Sequence, residues 1–137
     1  MKGKTVYVAG PMRKHQFYNF PAFDAAKAML EAMGYKVTSP ADLDREIHHF
    51  DGMRVDPEDP CLGVPQYHDC VTGELRTFSM EKCIRADLDG VLGSDALFLL
   101  PGWEKSTGAR AEVAVARFAG KYIFHGEGTL TPEAFGL

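Results

Sequence analysis

Residues 94–126 read SDALFLLPGWEKSTGARAEVAVARFAGKYIFHG, and their order decides the fold. "SDALFLLPG" is a short continuous apolar run closed by Pro101 and Gly102, the pattern of a buried strand. Ser106, Thr107 and Gly108 then mark a helix start, and the alanine-rich segment 108–119 is built of good helix formers. "KYIFHG" returns to aromatic and β-branched residues and reads as another strand. A strand, a helix and a strand in succession make a crossover, which joins parallel strands.

The same alternation recurs upstream. "KTVYVAG" (4–10) reads as a first buried strand. Asn19 is placed to cap a helix with Pro21 in its first turn, "AFDAAKAMLEAM" keeps helical spacing, and Gly34 stops it. "YKVTSP" is a second strand. Ser79 is placed to cap a helix over "MEKCIRADLDGVLG", with Ile84, Leu88, Val91 and Leu92 on one face. The expected architecture is α/β: a Rossmann-like three-layer sandwich, with a mostly parallel sheet of four to five strands and helices on both faces. Residues 40–77 interrupt the pattern with charge, Pro and Gly. The expectation is a single domain over 1–137 carrying an irregular insert at about 41–77, functional or mobile, and "TPEAFGL" as a short C-terminal helix or tail.

The totals exclude several classes. The chain has 137 residues, 45% apolar and 25% charged, as in a globular domain. Its net charge of -4 offers no basic excess to neutralise a nucleic-acid polymer, although a local site for a small phosphate remains open. No apolar run approaches the roughly 20 residues that span a bilayer, and the run after Lys2 and Lys4 is too short for a signal sequence. A cytoplasmic protein is expected. Cys61, Cys70 and Cys83 are odd in number and lack CxxC spacing, so reduced structural thiols are expected. A metal site from Cys61, Cys70, His68, His48 and His49 matches no known zinc spacing.

In open parallel sheets, ligands bind at the carboxyl ends of the strands near a switch in strand order. Three segments meet there: Gly10 to His15, Ser39 to Asp44, and Pro101 to Gly108. Ser106, Thr107 and Gly108 read two ways. They make an ordinary N-cap with Glu112 in the first turns, or their free backbone N–H groups hold a phosphate. No GxxxxGK[ST] pattern is present. Asp87 and Asp89 lie two apart on one helix and point about 200° apart, so one can face the site while the other faces water. Tyr7 reads as a core tyrosine with a satisfied hydroxyl, and Asp95 as a cap before its strand. Arg13, Lys14 and His15 are a solvated loop by default and suit an anion. Paired carboxylates beside an anion site fit glycosidic chemistry, in which one carboxylate attacks the anomeric carbon and an acid helps the base depart.

Together, "VYVAGPM", "RADLDGVLGSDALFLL" and "STGARAEVAVARFAGK" resemble the nucleoside 2-deoxyribosyltransferase superfamily, which includes 2'-deoxynucleoside 5'-monophosphate N-hydrolases and an uncharacterised phage-associated branch. The resemblance covers about residues 4–40 and 79–125. It implies a nucleophile at Glu112, an Asp at Asp87 that meets the base and assists proton transfer, and a tyrosine at Tyr7 that holds the catalytic glutamate. Base-exchanging relatives tend to carry a carboxylate where this chain has Ser106, and the monophosphate hydrolases carry Ser. A carboxylate repels a 5'-phosphate that a hydroxyl and a helix N-terminus can bind.

The expected function is therefore N-glycosidic hydrolysis of (deoxy)nucleoside 5'-monophosphates, without metal or organic cofactor. Glu112, Asp87 and Tyr7 are the catalytic set. Gly10, Pro11, Met12, Arg13, Ser106, Gly108 and Arg110 surround the phosphate and sugar, and Asp42, with Asp44 near it, is assigned to the base. Base exchange between nucleosides and a non-catalytic nucleotide-binding module are the alternatives. Family sites often borrow residues from a neighbouring subunit, and a homodimer is expected.

Overall fold

Val6, Tyr7, Val8 and Ala9 are all fully buried, which sets the first strand at the centre of the sheet. The computed structural model describes residues 3–12, 19–48, 66–68, 71–77 and 80–126, leaving aside the side chains of 47, 48, 66–68, 75–77 and 80. The elements run β1 (Thr5–Ala9), α1 (Phe20–Ala32), β2 (Lys36–Thr38), α2 (Pro40–His48), β3 (Gln66–His68), β4 (Leu75–Thr77), α3 (Met80–Leu92), β5 (Ala96–Leu99), α4 (Thr107–Phe118) and β6 (Tyr122–His125). A short 3-10 turn at Trp103–Lys105 leads into α4.

The main sheet has four parallel strands in the order β2-β1-β5-β6. Alternate residues of β1 and β5 serve opposite faces, as a period of two requires. Val6, Val8, Ala96 and Phe98 pack with Phe20, Phe23, Ala26 and Leu30 of α1. Tyr7, Ala9, Leu97 and Leu99 pack with Val91 of α3 and with Val113 and Ala116 of α4. The sandwich is thus α1, sheet, α3 with α4, as expected. β1 runs to β2 on one side while β5 and β6 lie on the other, so strand order switches between β1 and β5.

Three local expectations are corrected. Asn19 does not cap α1 through its side chain. It adopts a left-handed backbone (φ 60) and donates its side-chain N–H to the Pro11 carbonyl at 2.9 Å, tying the loop after β1 to the start of α1. Gly34 does stop that helix, with φ 96 and the Tyr35 N–H reaching back to Leu30 O at 3.1 Å. Within the expected irregular stretch lie a nine-residue helix, α2, and an antiparallel β3–β4 pair. Pro40 opens α2, where a missing N–H costs nothing, and Asp42 sits in its first turn, where the helix dipole favours an anion. Ala41 and Leu43 supply its apolar contacts. On α3, Val91 is fully buried, but Ile84 and Leu92 are each 51% exposed. Among the described side chains Val91 is the fully buried apolar residue of α3, and the half-buried Gly90 beside it lies under the Tyr7 ring. The Ser79 cap lies outside the described residues.

Candidate active site

Tyr7 sits in the middle of β1 on the α3–α4 face, and its hydroxyl donates a hydrogen bond to Oε2 of Glu112. Glu112 lies one and a half turns into α4 and is 8% exposed. Side chains lean toward the N-terminus of their helix, so Glu112 reaches back toward the carboxyl edge of the sheet. Burial raises the Glu112 carboxyl to about 7; the Tyr7 hydrogen bond works against that rise and the charge of Asp44 adds to it. Burial and the neighbouring carboxylates push Tyr7 well above the usual phenol range, so the phenol stays a proton donor.

Asp87 stands on the inner side of α3. Burial first, then the charges of Glu112 and Asp44, raise it to about 8. Its Oδ1 is buried without a hydrogen-bond partner among the described residues, a polar atom oriented inward and left unpaired. Asp89, two residues on, is exposed. Gly90, one turn beyond Asp87, is where Tyr7 crosses the helix: a Cβ there meets Tyr7 Cε2 at 2.9 Å and Thr38 Cγ2 at 3.2 Å. Helix propensity alone favours Gly90→Ala by about 1 kcal/mol. Overpacking costs about 1–3 kcal/mol and wins, because a buried ring on a central strand has no room to retreat. The variant is expected to melt several degrees lower in a thermal scan and to lose activity through a displaced Tyr7. An unchanged melting temperature together with full activity overturns that reading.

Asp44 is the third carboxyl here. It lies one turn into α2, accepts a hydrogen bond from the Cys83 thiol at 3.6 Å, and is raised to about 7, mainly by burial. Asp42 is engaged elsewhere, with Lys27 Nζ at 2.7 Å and Arg45 Nη1 at 2.9 Å. Arg45 also forks onto both carboxylate oxygens of Asp24 and stacks on the Phe20 ring at 4.8 Å. These partly exposed pairs strap α2 to α1 and so fix the direction of Asp44.

The edge above this cluster is formed by two turns in close contact. A Cβ at Gly10 meets Leu100 Cβ at 2.7 Å, so only glycine lets the chains leaving β1 and β5 run together. Pro11 is buried and Met12 packs against the α1 core. Arg13, Lys14 and His15 lie outside the described residues. Ser106 is the N-cap of α4, its Oγ accepting the Ala109 N–H at 3.2 Å. Gly108 is exposed with nothing near its missing side chain, and Arg110 is exposed in the first turn. Asp95 accepts the Thr5 N–H at 2.9 Å and so ties the start of β5 to the start of β1. Cys61, Cys70, His49 and the side chains of His48 and His68 lie outside the description.

The structure therefore brings Tyr7, Asp87 and Glu112 together, adds Asp44, and places Ser106, Gly108 and Gly10 along the neighbouring edge. The model of a domain of unknown function, DUF4406, matches residues 4–59 and 69–125, well over half of the chain. The chain belongs to this family. Among solved structures it is similar to a 2-desoxiribosyltransferase from Leishmania mexicana, with 16% identity and a TM-score of 0.55, covering 97% of this chain and 71% of that one. The likeness is one of fold, and it agrees with the architecture expected of the superfamily that the sequence resembles. No curated protein matches the chain. Among the described residues no helix is long and apolar enough to cross a membrane.

Proposed function

We propose that this protein hydrolyses the N-glycosidic bond of (deoxy)nucleoside 5'-monophosphates, releasing free base and sugar 5-phosphate. One observation carries the reading: Glu112 is held by the Tyr7 phenol, and Asp87, raised to about 8, stands beside it with an unpaired oxygen. Such a pair divides the labour of glycoside cleavage, an ionised carboxylate to attack and a protonated one to give.

In this mechanism the Glu112 carboxylate attacks the anomeric carbon. The C1'–N bond breaks, its electron pair leaves with the base, and the base takes the Asp87 proton. Water then attacks the same carbon, gives its proton to the Asp87 carboxylate and frees Glu112. Tyr7 steadies Glu112 in the attacking position and, as a hydrogen-bond donor, keeps more of it ionised. The first-turn N–H groups of α4, the Ser106 hydroxyl and the turn at Gly10 hold the phosphate. Ser106 uses a lone pair for its cap, which leaves its own hydrogen to donate. Lys105 and Arg110 are exposed at the same helix end and add positive charge. Exposed apolar side chains favour a dimer: Ile84 and Leu92 are each 51% exposed on α3, and Phe118 is 97% exposed on the adjacent α4.

Incubation with matched nucleosides and nucleotides, read by mass spectrometry with and without a second free base, tests this. The expected products are free base and sugar phosphate, with the nucleotide preferred by about tenfold or more, the worth of one charge-assisted contact. Transfer of the sugar to the added base, with nucleosides preferred, favours the base-exchange reading instead. Binding without any product favours a non-catalytic nucleotide module.

A further inference from the structure

The mechanism uses two of the three carboxyls in the cluster. Asp44 remains, buried where an idle carboxyl is costly. Its charge acts on Tyr7, Asp87 and Glu112, so it lies close to all three. The construction around it is specific. The Cys83 thiol on α3, one turn before Asp87, donates to its Oδ1. The Asp24–Arg45–Asp42–Lys27 ion pairs fix the helix that carries it. The three helices α2, α3 and α4 stand in that order, α3 packing on both others, and contribute Asp44, Asp87 and Glu112 respectively. If the anomeric carbon lies at Glu112 and the phosphate at the start of α4, the leaving base extends past Asp87 toward α2. A buried carboxyl there repels a phosphate and instead accepts hydrogen bonds from a neutral donor.

We propose that Asp44 is a base-recognition residue, accepting a hydrogen bond from an exocyclic amino group and so selecting amino-bearing bases over their oxo counterparts. The proposal rests on the nucleotide N-hydrolase reading for the direction in which the base points. Above the pH of about 7 at which Asp44 ionises, its carboxylate, with Oδ1 occupied by the Cys83 thiol, presents only acceptors to the base, and a carbonyl in the amino position brings two acceptors face to face. A site built to bond a polar group rejects the analogue that cannot make the bond, since its own buried group is then left unpaired.

Matched pairs that exchange the amino group for an oxo group, and with it the adjacent ring nitrogen from acceptor to N–H donor, test the idea: cytosine against uracil 5'-monophosphates, and adenine against hypoxanthine 5'-monophosphates. Binding is measured by calorimetry to full-length Glu112→Gln protein, so that selectivity is read without turnover. The amino member is expected to bind about tenfold more tightly in at least one pair. Asp44→Asn in the same background is expected to bring that ratio to within about twofold, because a rotated amide donates to the oxo member. Asn is isosteric, and a thermal melt of the double variant checks that it folds. Asp44→Ser, smaller and able to serve either partner, is the second variant and is expected to level the ratio likewise. Equal binding of both members by the Glu112→Gln protein, or a preference that survives both Asp44 substitutions, overturns the proposal. Failure of the underlying reading shows separately, as the absence of free base from any nucleotide with the unaltered protein.

Discussion

Glu112→Ala is expected to abolish base release, lowering kcat by about a thousandfold or more, the scale on which removal of a covalent nucleophile acts. Nucleotide affinity is expected to change little, because the phosphate contacts lie at the start of α4 and on the Gly10 turn, away from the Glu112 carboxyl. The loss therefore falls on kcat and spares KM, the signature of a group that acts in the transition state. Glu112→Gln is expected to lose activity to the same extent while keeping the Tyr7 hydrogen bond, since an amide carbonyl still accepts from the phenol. That separates chemistry from packing: a role limited to holding Tyr7 in place leaves the Gln variant active. Single-turnover assays on both variants decide it, and full turnover by Glu112→Ala removes the proposed mechanism altogether.

The sequence makes the frame of this site legible and its details much less so. Strand and helix periods are local properties, so β1, α1, β2, α3, β5, α4 and β6 appear where apolar spacing and punctuation put them. The carboxyl edge follows from their alternation alone. Local pattern cannot separate a glutamate that begins a helix from one that works. Glu112 is both buried and inside α4, and only the long-range approach of Tyr7 from β1 distinguishes it. Helix register limits the reading of the aspartates in the same way. Asp42 and Asp44 point about 200° apart once α2 is a helix, and the register that turns Asp44 inward is set by Lys27 and Arg45. Pro40 and the first-turn Asp42 were the available signals for α2, obscured by the charged and Pro-rich residues that follow. Asn19 shows the converse: a residue type typical of caps is used here to hold Pro11, a choice made by loop geometry rather than by the helix.

Asp87→Asn is expected to lower kcat/KM by about 10²–10⁴, the usual weight of general acid catalysis, and to change the shape of the pH profile. With Glu112 at about 7 and Asp87 at about 8, activity of the unaltered protein rises as Glu112 ionises and falls as Asp87 loses its proton. An amide does not titrate, so the residual activity of the variant is expected to keep the acid limb and lose the decline above pH 8 or so. A nucleotide of a 7-methylated purine tightens the test, because its cationic base departs neutral without a proton. The variant is expected to cleave it at close to the unaltered rate, whereas a merely structural Asp87 leaves every substrate equally impaired. Stability carries the same sign. The folded-state value of Asp87, about 8, lies above its ordinary 3.8, so its contribution to folding is complete below the ordinary value and is lost as pH rises through about 8. Glu112 and Asp44, both raised to about 7, act in the same direction. The unaltered protein is thus expected to melt lower at pH 8.5 than at pH 6, and Asp87→Asn to flatten part of that slope. A melting temperature that climbs with pH over this range means that the carboxyls are not buried in the folded protein as described, and the assignment of Asp87 as the proton donor falls with it.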